Sequence, residues 1–285
     1  MIKILSILLF SISLFANPTV EIVTYPKTAT NGTAFLLKVT QDNNKTLKKL
    51  AIKFGKKSFK SLSDNTHILL PIYYRTKIGE HNIEVYGKTS NNKKFSEKFT
   101  IEVKKGDYPS SKLTVSKKKT TFSKKDLKRI RKESKNATKI YSKFTNKKYT
   151  KAFLYPLKTK ITSVYGVRRV FNKKLKSYHS GTDFRAKMGT PIKASNDGVV
   201  KLVKNRFFAG GSVIIDHGEG IFSVYYHLSK FLVKKNQKIK RGDIIALSGD
   251  SGRVTGPHLH FGIVLQNTSV EPMKFLKLMN EFIIE

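Results

Sequence analysis

The chain has 285 residues, of which 39% are hydrophobic, so it is long enough to form two domains that each have a core. Its 56 Lys and Arg residues outnumber its 19 Asp and Glu residues and give a net charge of +37. This excess predicts an anionic partner, either nucleic acid, a membrane surface or a polyanionic polymer, although a coding bias toward lysine would produce the same excess. Because the chain has no cysteine, disulfides and thiolate zinc sites are excluded, and any metal must bind through His, Asp or Glu.

Residues 1–16 predict a secretory signal peptide. Lys3 precedes an apolar run from Ile4 to Phe15, and the small residue Ala16 stands where cleavage is expected. The run is too short for a typical transmembrane helix, although an uncleaved anchor is the alternative. We therefore expect an exported protein that begins near Asn17 and has no stable membrane insertion after cleavage.

Residues 17–105 predict an antiparallel β-sandwich-like domain, immunoglobulin-like in outline. Short bursts of alternating apolar and polar residues are separated by turn-forming pieces such as Asn31-Gly32 and Asn91-Asn92. No catalytic constellation stands out in this part of the sequence. The bursts are Val20 to Val23, Ala34 to Val39, Leu50 to Phe54, His67 to Tyr74, His81 to Tyr86 and Phe99 to Val103.

Residues 106–152 predict a linker that contains a basic helix. Ser123 has the character of an N-cap, with Asp126 at the third helical position. A narrow apolar stripe with helical spacing follows as far as Phe144, and lysines occupy the other face. We expect this helix to connect the domains and to pack on a domain surface, and no motif supports nucleic-acid binding.

Residues 153–285 predict an all-β domain, which makes the chain mainly β overall. Short strands with glycine turns fill this part, and only the tail from Met273 to Phe282 has helical spacing. The expected strands are Ile161 to Tyr165, Ile192 to Ala194, Gly198 to Val203, Ser212 to Asp216, Phe222 to His227, Ile244 to Leu247 and Leu259 to Leu265.

Two histidines in this last part, His258 and His260, stand one residue apart in an apolar strand. Alternate side chains of a strand face the same side, so both imidazoles point into one site. Upstream, His179 and Asp183 have a His-x-x-x-Asp spacing, and the intervening Gly181 permits a bend that brings both to one ion. With one nitrogen from the strand pair, they form a two-His, one-carboxylate set that is common in catalytic zinc sites.

A metal of this kind lowers the pKa of bound water from about 15.7 toward about 7 and polarises a carbonyl. The chemistry also needs a general base and a group that stabilises the oxyanion. Imidazoles titrate near neutral pH, so the remaining histidines of this group, including His227, are candidates for both roles. His217 lies at a strand end before a glycine turn, and we interpret it as structural.

Residues 156–272 resemble the lysostaphin/LytM-type zinc metallopeptidases that cut peptidoglycan cross-links. The most specific pieces are Tyr178 to Phe184 and Gly249 to Gly262. The region from Tyr108 through the helix resembles, more weakly, the linker of Gram-negative members with an added N-terminal β domain. The other matching pieces are Ile161 to Arg168, Gly189 to Ala194, Gly198 to Val200, Gly211 to Gly218, Tyr226 to Ser229 and Gly242-Asp243.

The resemblance implies one Zn²⁺ per chain, bound by His179, Asp183 and His260. It leaves His258 and His227 as the catalytic pair, with His258 as general base and His227 as stabiliser of the oxyanion, although the two could exchange these roles. The implied function is a peptidoglycan endopeptidase, with carboxypeptidase action on stem peptides as a further possibility. The implied location is the periplasm of a Gram-negative bacterium.

The alternative function is a non-catalytic regulator of cell-wall hydrolases that uses the same fold. Such regulators lack metal ligands, whereas no position of the family pattern is lost from this sequence. Nucleic-acid binding rests on charge alone and conflicts with the predicted export.

Overall fold

The computed structural model describes residues 20–41, 47–113, 122–145, 151–171 and 175–284, so the predicted signal peptide lies outside the described residues. None of the helices in these ranges has the length and apolar character needed to cross a membrane. The chain divides into two compact units, with the boundary between Gly106 and Asp107.

The N-terminal unit consists of two β-sheets. One is three-stranded with the order β1-β3-β6, and the other is five-stranded with the order β2-β8-β7-β4-β5. Every burst of alternation predicted in this part corresponds to a strand, while β2 and β5 were not expected. The strands are β1 (Val20–Tyr25), β2 (Ala29–Thr30), β3 (Ala34–Gln41), β4 (Lys48–Phe54), β5 (Lys57–Lys60), β6 (His67–Pro71), β7 (Gly79–Lys88) and β8 (Lys94–Lys104).

A single apolar core joins the two sheets of this unit. Phe35 and Leu37 of β3 lie in the same buried cluster as Ile52 of β4 and Val85 of β7. Alternate residues of β8 are buried, as expected for strands with one face against a core and one face in solvent. The sandwich-like architecture predicted for this part is therefore confirmed.

The C-terminal unit is also mainly β, and it contains both helices of the described residues. The predicted strands all have counterparts, and the predicted tail helix is α2. The elements are β9 (Ser110–Leu113), α1 (Lys124–Tyr141), β10 (Ile161–Ser163), β11 (Arg168–Phe171), β12 (Leu175–Tyr178), β13 (Thr182–Arg185), β14 (Pro191–Lys193), β15 (Gly198–Arg206), β16 (Gly210–Gly218), β17 (Ile221–Phe231), β18 (Lys238–Ile239), β19 (Ile244–Ser248), β20 (His258–Leu265), β21 (Thr268–Val270) and α2 (Pro272–Ile284).

A ten-stranded sheet forms the body of this unit, and its main path has the order β10-β13-β20-β17-β16-β15-β18. β20, which carries the histidine pair, lies between β13 and β17, both antiparallel to it. The central strands β16 and β20 are almost entirely buried. Of the predicted site residues, Asp183, His227, His258 and His260 therefore lie on three neighbouring strands of this sheet, β13, β17 and β20.

Helix α1 begins as expected, because the Ser123 hydroxyl accepts a hydrogen bond from the backbone N–H of Asp126 at 3.1 Å. Its last turn packs Ile140 and Tyr141 against a cluster that includes Phe222 and Val224 of β17. Because alternate residues of β17 share a face, Tyr226 lies on this helix-covered face as well.

A smaller sheet with the order β12-β11-β9 completes the unit. β11 and β12 form a hairpin, and β9 pairs with β11 in parallel. The segment that the sequence indicated as a linker thus contributes a strand and a helix to the C-terminal unit.

Candidate metal centre

The pairing of β13 with β20 brings together the residues of the predicted metal group. Asp183 lies directly opposite His260 in the antiparallel register. His179 stands four residues before Asp183, as the first residue of the connection that leads from β12 into β13. Within the described ranges, these three residues form the one group of His, Asp and Glu side chains whose ligand atoms converge enough to hold a metal ion, all within 4.8 Å of one another.

The three ligand atoms lie close to one another. Nε2 of His179 is 2.9 Å from Oδ1 of Asp183 and 2.9 Å from Nδ1 of His260. The same carboxylate oxygen is 3.0 Å from Nδ1 of His260. All three residues are buried. Two ring nitrogens and one carboxylate oxygen therefore point at one position from three directions.

Neighbouring groups fix the orientation of these ligand atoms. Nδ1 of His179 lies 2.8 Å from the carbonyl oxygen of Val164, so the proton belongs on Nδ1 and the lone pair of Nε2 faces the centre. A Cβ atom on Gly181 would lie 2.5 Å from Nε2 of His260, so only glycine lets this turn approach the imidazole. The bend predicted at Gly181 thus serves a close contact with a ligand residue.

The charges of these side chains are suited to binding a cation. Burial alone would raise the pKa of Asp183, but the close contacts with the imidazoles of His179 and His260 hold it below its usual value, so the carboxyl group is ionised. Burial lowers the pKa of His260, which keeps the imidazole neutral and leaves its lone pair for a ligand bond. Two imidazole nitrogens with one carboxylate form a donor set that fits zinc.

The other two predicted residues lie beside this group. Nε2 of His258 is 3.8 Å from Oδ1 of Asp183, and Nδ1 of His258 is 2.9 Å from the carbonyl oxygen of Gly256. His227 lies against His258, with ring centroids 4.8 Å apart, and its Nδ1 is 2.9 Å from the carbonyl oxygen of Ser251. Because a carbonyl can only accept, both imidazoles carry a proton on Nδ1 and have Nε2 available for the site.

His227 has an unusual backbone conformation. Its φ of 64° lies in the left-handed region, which costs a residue with a Cβ atom about 1–2 kcal/mol. The ladder between β16 and β17 shifts register at this point, and the His227 N–H donates to the carbonyl of Ala209 at 2.9 Å. Burial, together with the nearby His260, lowers the pKa of His227 to about 4.

An aromatic and arginine cluster borders the His227 side of the centre. Phe208 is in the turn between β15 and β16, and its carbonyl accepts a hydrogen bond from the backbone N–H of Arg253 at 2.9 Å. The guanidinium of Arg253 lies 5.7 Å from the ring centroid of Phe208 and 5.8 Å from that of Phe122. The 204–211 and 251–256 segments therefore hold each other in place beside His227.

One residue of the centre was not found from the sequence. The ring of Tyr226 stacks on the imidazole of His260, and its hydroxyl lies 3.3 Å from that of Tyr141 in α1. The only sequence signal was the alternation of β17, which places Tyr226 on the opposite face from the buried Tyr225.

His217, which the sequence indicated to be structural, is fully buried and lies outside the group. Its Nδ1 is 2.7 Å from the carbonyl oxygen of Asp197, and its Nε2 is 2.7 Å from the Ser223 hydroxyl.

A central antiparallel sheet with a buried two-His, one-carboxylate group and two further imidazoles fits a metal-dependent hydrolase. Residues 177–272 match the family model described as Peptidase family M23. This part of the chain is therefore an M23 peptidase domain of the lysostaphin/LytM type, and the chain has an additional N-terminal region.

Similar proteins agree with this assignment. The chain is 46% identical over 123 residues to the peptidoglycan DD-endopeptidase ShyA of Vibrio cholerae, a match that covers 42% of this chain and 29% of ShyA. It is 35% identical over 115 residues to the DD-carboxypeptidase/endopeptidase Mpg of Neisseria meningitidis, covering 40% of this chain and 26% of Mpg. The matched region thus spans less than a third of the length of these curated relatives.

Fold similarity extends over both units. A peptidase M23 structure from Pseudomonas aeruginosa matches with a TM-score of 0.65 and 27% sequence identity, covering 87% of this chain and 95% of that chain.

Proposed function

We propose that the chain is a zinc-dependent peptidoglycan hydrolase that cleaves peptide cross-links or stem peptides of the bacterial cell wall. The observation that carries the proposal is the convergence of His179, Asp183 and His260, with Nε2 of His258 3.8 Å from the Asp183 carboxylate. The names of ShyA and Mpg support endopeptidase and carboxypeptidase action on peptidoglycan.

In this proposal one Zn²⁺ binds to Nε2 of His179, Oδ1 of Asp183 and Nδ1 of His260. When bound, zinc supplies Lewis-acid polarisation of the scissile carbonyl and a lowered pKa for a water molecule. The protein fixes the two imidazoles through Val164 and Gly181, and the ionised Asp183 carries the negative charge that a dication needs.

His258 acts as the general base in this proposal. Its Nδ1–H is held by the Gly256 carbonyl, so its free Nε2 can take a proton from the attacking water and later give it to the leaving amine nitrogen. The Asp183 carboxylate 3.8 Å away stabilises the imidazolium that forms.

His227 stabilises the oxyanion of the tetrahedral intermediate. To donate from Nε2 it needs a second proton, since its Nδ1–H is held by Ser251 and its lowered pKa keeps the free ring neutral. Negative charge that develops on the substrate favours this protonation. An exchange of roles between His227 and His258 is the alternative, and both rings present Nε2.

Substrate and location follow from the same proposal. Peptidoglycan stem peptides carry carboxylates, which suit a chain with a net charge of +37. Export through the predicted signal peptide supports a location in the periplasm of a Gram-negative cell. The alternative function, a non-catalytic regulator of cell-wall hydrolases, does not require the complete donor set that this chain retains.

The proposal is tested with purified sacculi and the zinc-loaded chain, with and without a chelator, followed by analysis of the muropeptides. We expect the cross-link or stem profile to change with zinc and to stay constant with the chelator. Unchanged profiles with zinc present, together with binding to sacculi, would favour the regulator.

A further inference from the structure

A basic groove lies between helix α1 and strand β15, on the same sheet face as the metal centre. Its volume is about 610 Å³. Six cationic side chains line it, and Glu133 is the one carboxylate among its lining residues. The cationic residues are Arg129, Lys132, Lys135, Lys139, Lys204 and Arg206.

The single carboxylate of the groove is already engaged. Oε1 of Glu133 accepts a hydrogen bond from Nε of Arg129 at 2.9 Å, and Oε2 accepts one from the backbone N–H of Phe207 at 2.8 Å. Glu133 therefore neutralises Arg129 and also interacts electrostatically, at longer range, with Arg206. Across the described part of the chain, the other five cationic residues of the groove have no carboxylate within ion-pair distance, which leaves a concentrated positive charge.

Arg206 adds N–H groups with a fixed direction to this positive charge. Its Nη1 donates to the Tyr226 hydroxyl at 3.4 Å, and its guanidinium lies 5.6 Å from the ring centroid of Tyr226. Its Nε–H, in contrast, is buried and has no hydrogen-bond acceptor. A buried donor without an acceptor is unfavourable, so the hydrogen bonding of Arg206 is incomplete at the wall of the groove.

The inner end of the groove lies one side chain from the metal centre. Arg206 contacts Tyr226, and Tyr226 stacks on His260. A polymer that occupies the metal centre would therefore extend toward these cations. At physiological salt, electrostatic attraction is largely screened beyond about 8 Å. An anionic ligand must therefore lie in the groove itself to be attracted by these lysines.

We propose that this groove is an exosite that binds stem-peptide carboxylates of peptidoglycan away from the bond that is cut. The inference rests on the function proposed above. Repeated carboxylates on a polymer match five cations spread along a helix and a strand, and continuity with the metal centre favours the substrate polymer over an unrelated anion.

The test uses the full, zinc-loaded chain with His258→Ala as the parent, so that sacculi stay intact. The groove variant adds Lys132→Gln, Lys135→Gln and Lys139→Gln, three exposed positions on α1. The matched control adds Lys234→Gln, Lys235→Gln and Lys238→Gln, which removes three exposed charges elsewhere in the same unit. Co-sedimentation gives the protein concentration that half-saturates the sacculi.

We expect the groove variant to need about ten times more protein than the parent, and the control less than about twice as much. Sacculi whose carboxylates have been converted to amides should bind the parent and the groove variant equally weakly. Equal binding of groove variant and parent to untreated sacculi would overturn the proposal. So would equal losses in groove variant and control, because net charge alone would then explain binding.

A second measurement separates this proposal from the proposed function. With His258 intact, the groove variant should cleave a soluble cross-linked muropeptide dimer whose free carboxylates have been converted to amides within about twofold of the wild-type rate, because this dimer offers the groove no carboxylate. A large loss on the dimer would overturn the exosite and place the lysines in the cleavage site. A wild-type chain that cleaves neither dimer nor sacculi would refute the proposed function, while the binding comparison would still decide on the groove.

Discussion

The phenol ring of Tyr226 lies parallel to the imidazole of His260, with an interplanar angle of 2° and ring centroids 5.2 Å apart. The two residues are direct neighbours across the β17–β20 ladder. The Tyr226 hydroxyl also contacts Tyr141, so helix α1 supports a proposed metal ligand through one intervening side chain.

Replacing this ring should weaken metal binding. A stacked aromatic pair contributes about 0.5–1.5 kcal/mol, so Tyr226→Leu is expected to lower the zinc affinity about two- to tenfold. Tyr226→Phe keeps the ring and loses only the hydroxyl, so its affinity should stay near that of the wild type. Competition with a chromogenic chelator measures both values. An unchanged affinity in Tyr226→Leu would mean that the stack does not hold His260.

Variants of the two histidines that are proposed for different roles should differ in their metal content. His179→Ala removes a ligand atom and is expected to lose both zinc and activity. His258→Ala removes the proposed base and is expected to keep about one zinc per chain while activity falls by at least about a hundredfold. Elemental analysis of the purified variants checks the assignment. Loss of zinc in His258→Ala would reverse the roles of the two histidines on β20.

Gly181 should tolerate no side chain. The Cβ of Gly181→Ala would lie 2.5 Å from both Nε2 of His260 and the carbonyl oxygen of Phe261, so the imidazole must move. We expect a zinc affinity at least about tenfold weaker. Gly256→Ala is the matched control, since a Cβ there meets no atom within 4 Å. Equal affinities in the two variants would show that the turn can relax without moving His260.

The role of His227 can be distinguished by an amide side chain. Glutamine can donate a hydrogen bond but cannot accept a proton at neutral pH. If His227 stabilises the oxyanion, His227→Gln should retain at least about ten times more activity than His227→Ala, because the amide recovers part of the roughly 2.7–4 kcal/mol that one oxyanion donor is worth. Steady-state rates on a soluble muropeptide dimer measure the difference. Equal rates in the two variants would favour His227 as the base.

Metal removal should destabilise the C-terminal unit. A ligand that binds only the folded state stabilises it by about 2.7–4.1 kcal/mol when its free concentration is 100–1,000 times the Kd. Chelation should therefore lower the unfolding temperature, and added zinc should restore it. His179→Ala serves as the control, since its unfolding temperature should not respond to zinc.

Much of the fold and the donor set could be predicted from the sequence because both depend on local patterns. The alternation around His258 and His260 predicted a strand with both imidazoles on one face, and Ser123 predicted the start of α1. The ligand roles themselves came from resemblance to a family, because spacing alone left the choice between His258 and His260 open.

The remaining features depend on pairing that sequence periodicity does not encode. The stack of Tyr226 on His260 requires the register between β17 and β20, and the parallel pairing of β9 with β11 joins segments that are far apart in the chain. Similarly, the contact of Gly181 with His260 is visible only once β13 lies beside β20.

The left-handed backbone at His227 implies a trade-off between catalysis and folding. His227→Gly would relieve the backbone strain. It would also remove a buried imidazole whose pKa is lowered by burial. Substitution of His227 by glycine is therefore expected to raise the free energy of unfolding, so this position gives up stability of the fold for an imidazole beside the metal group.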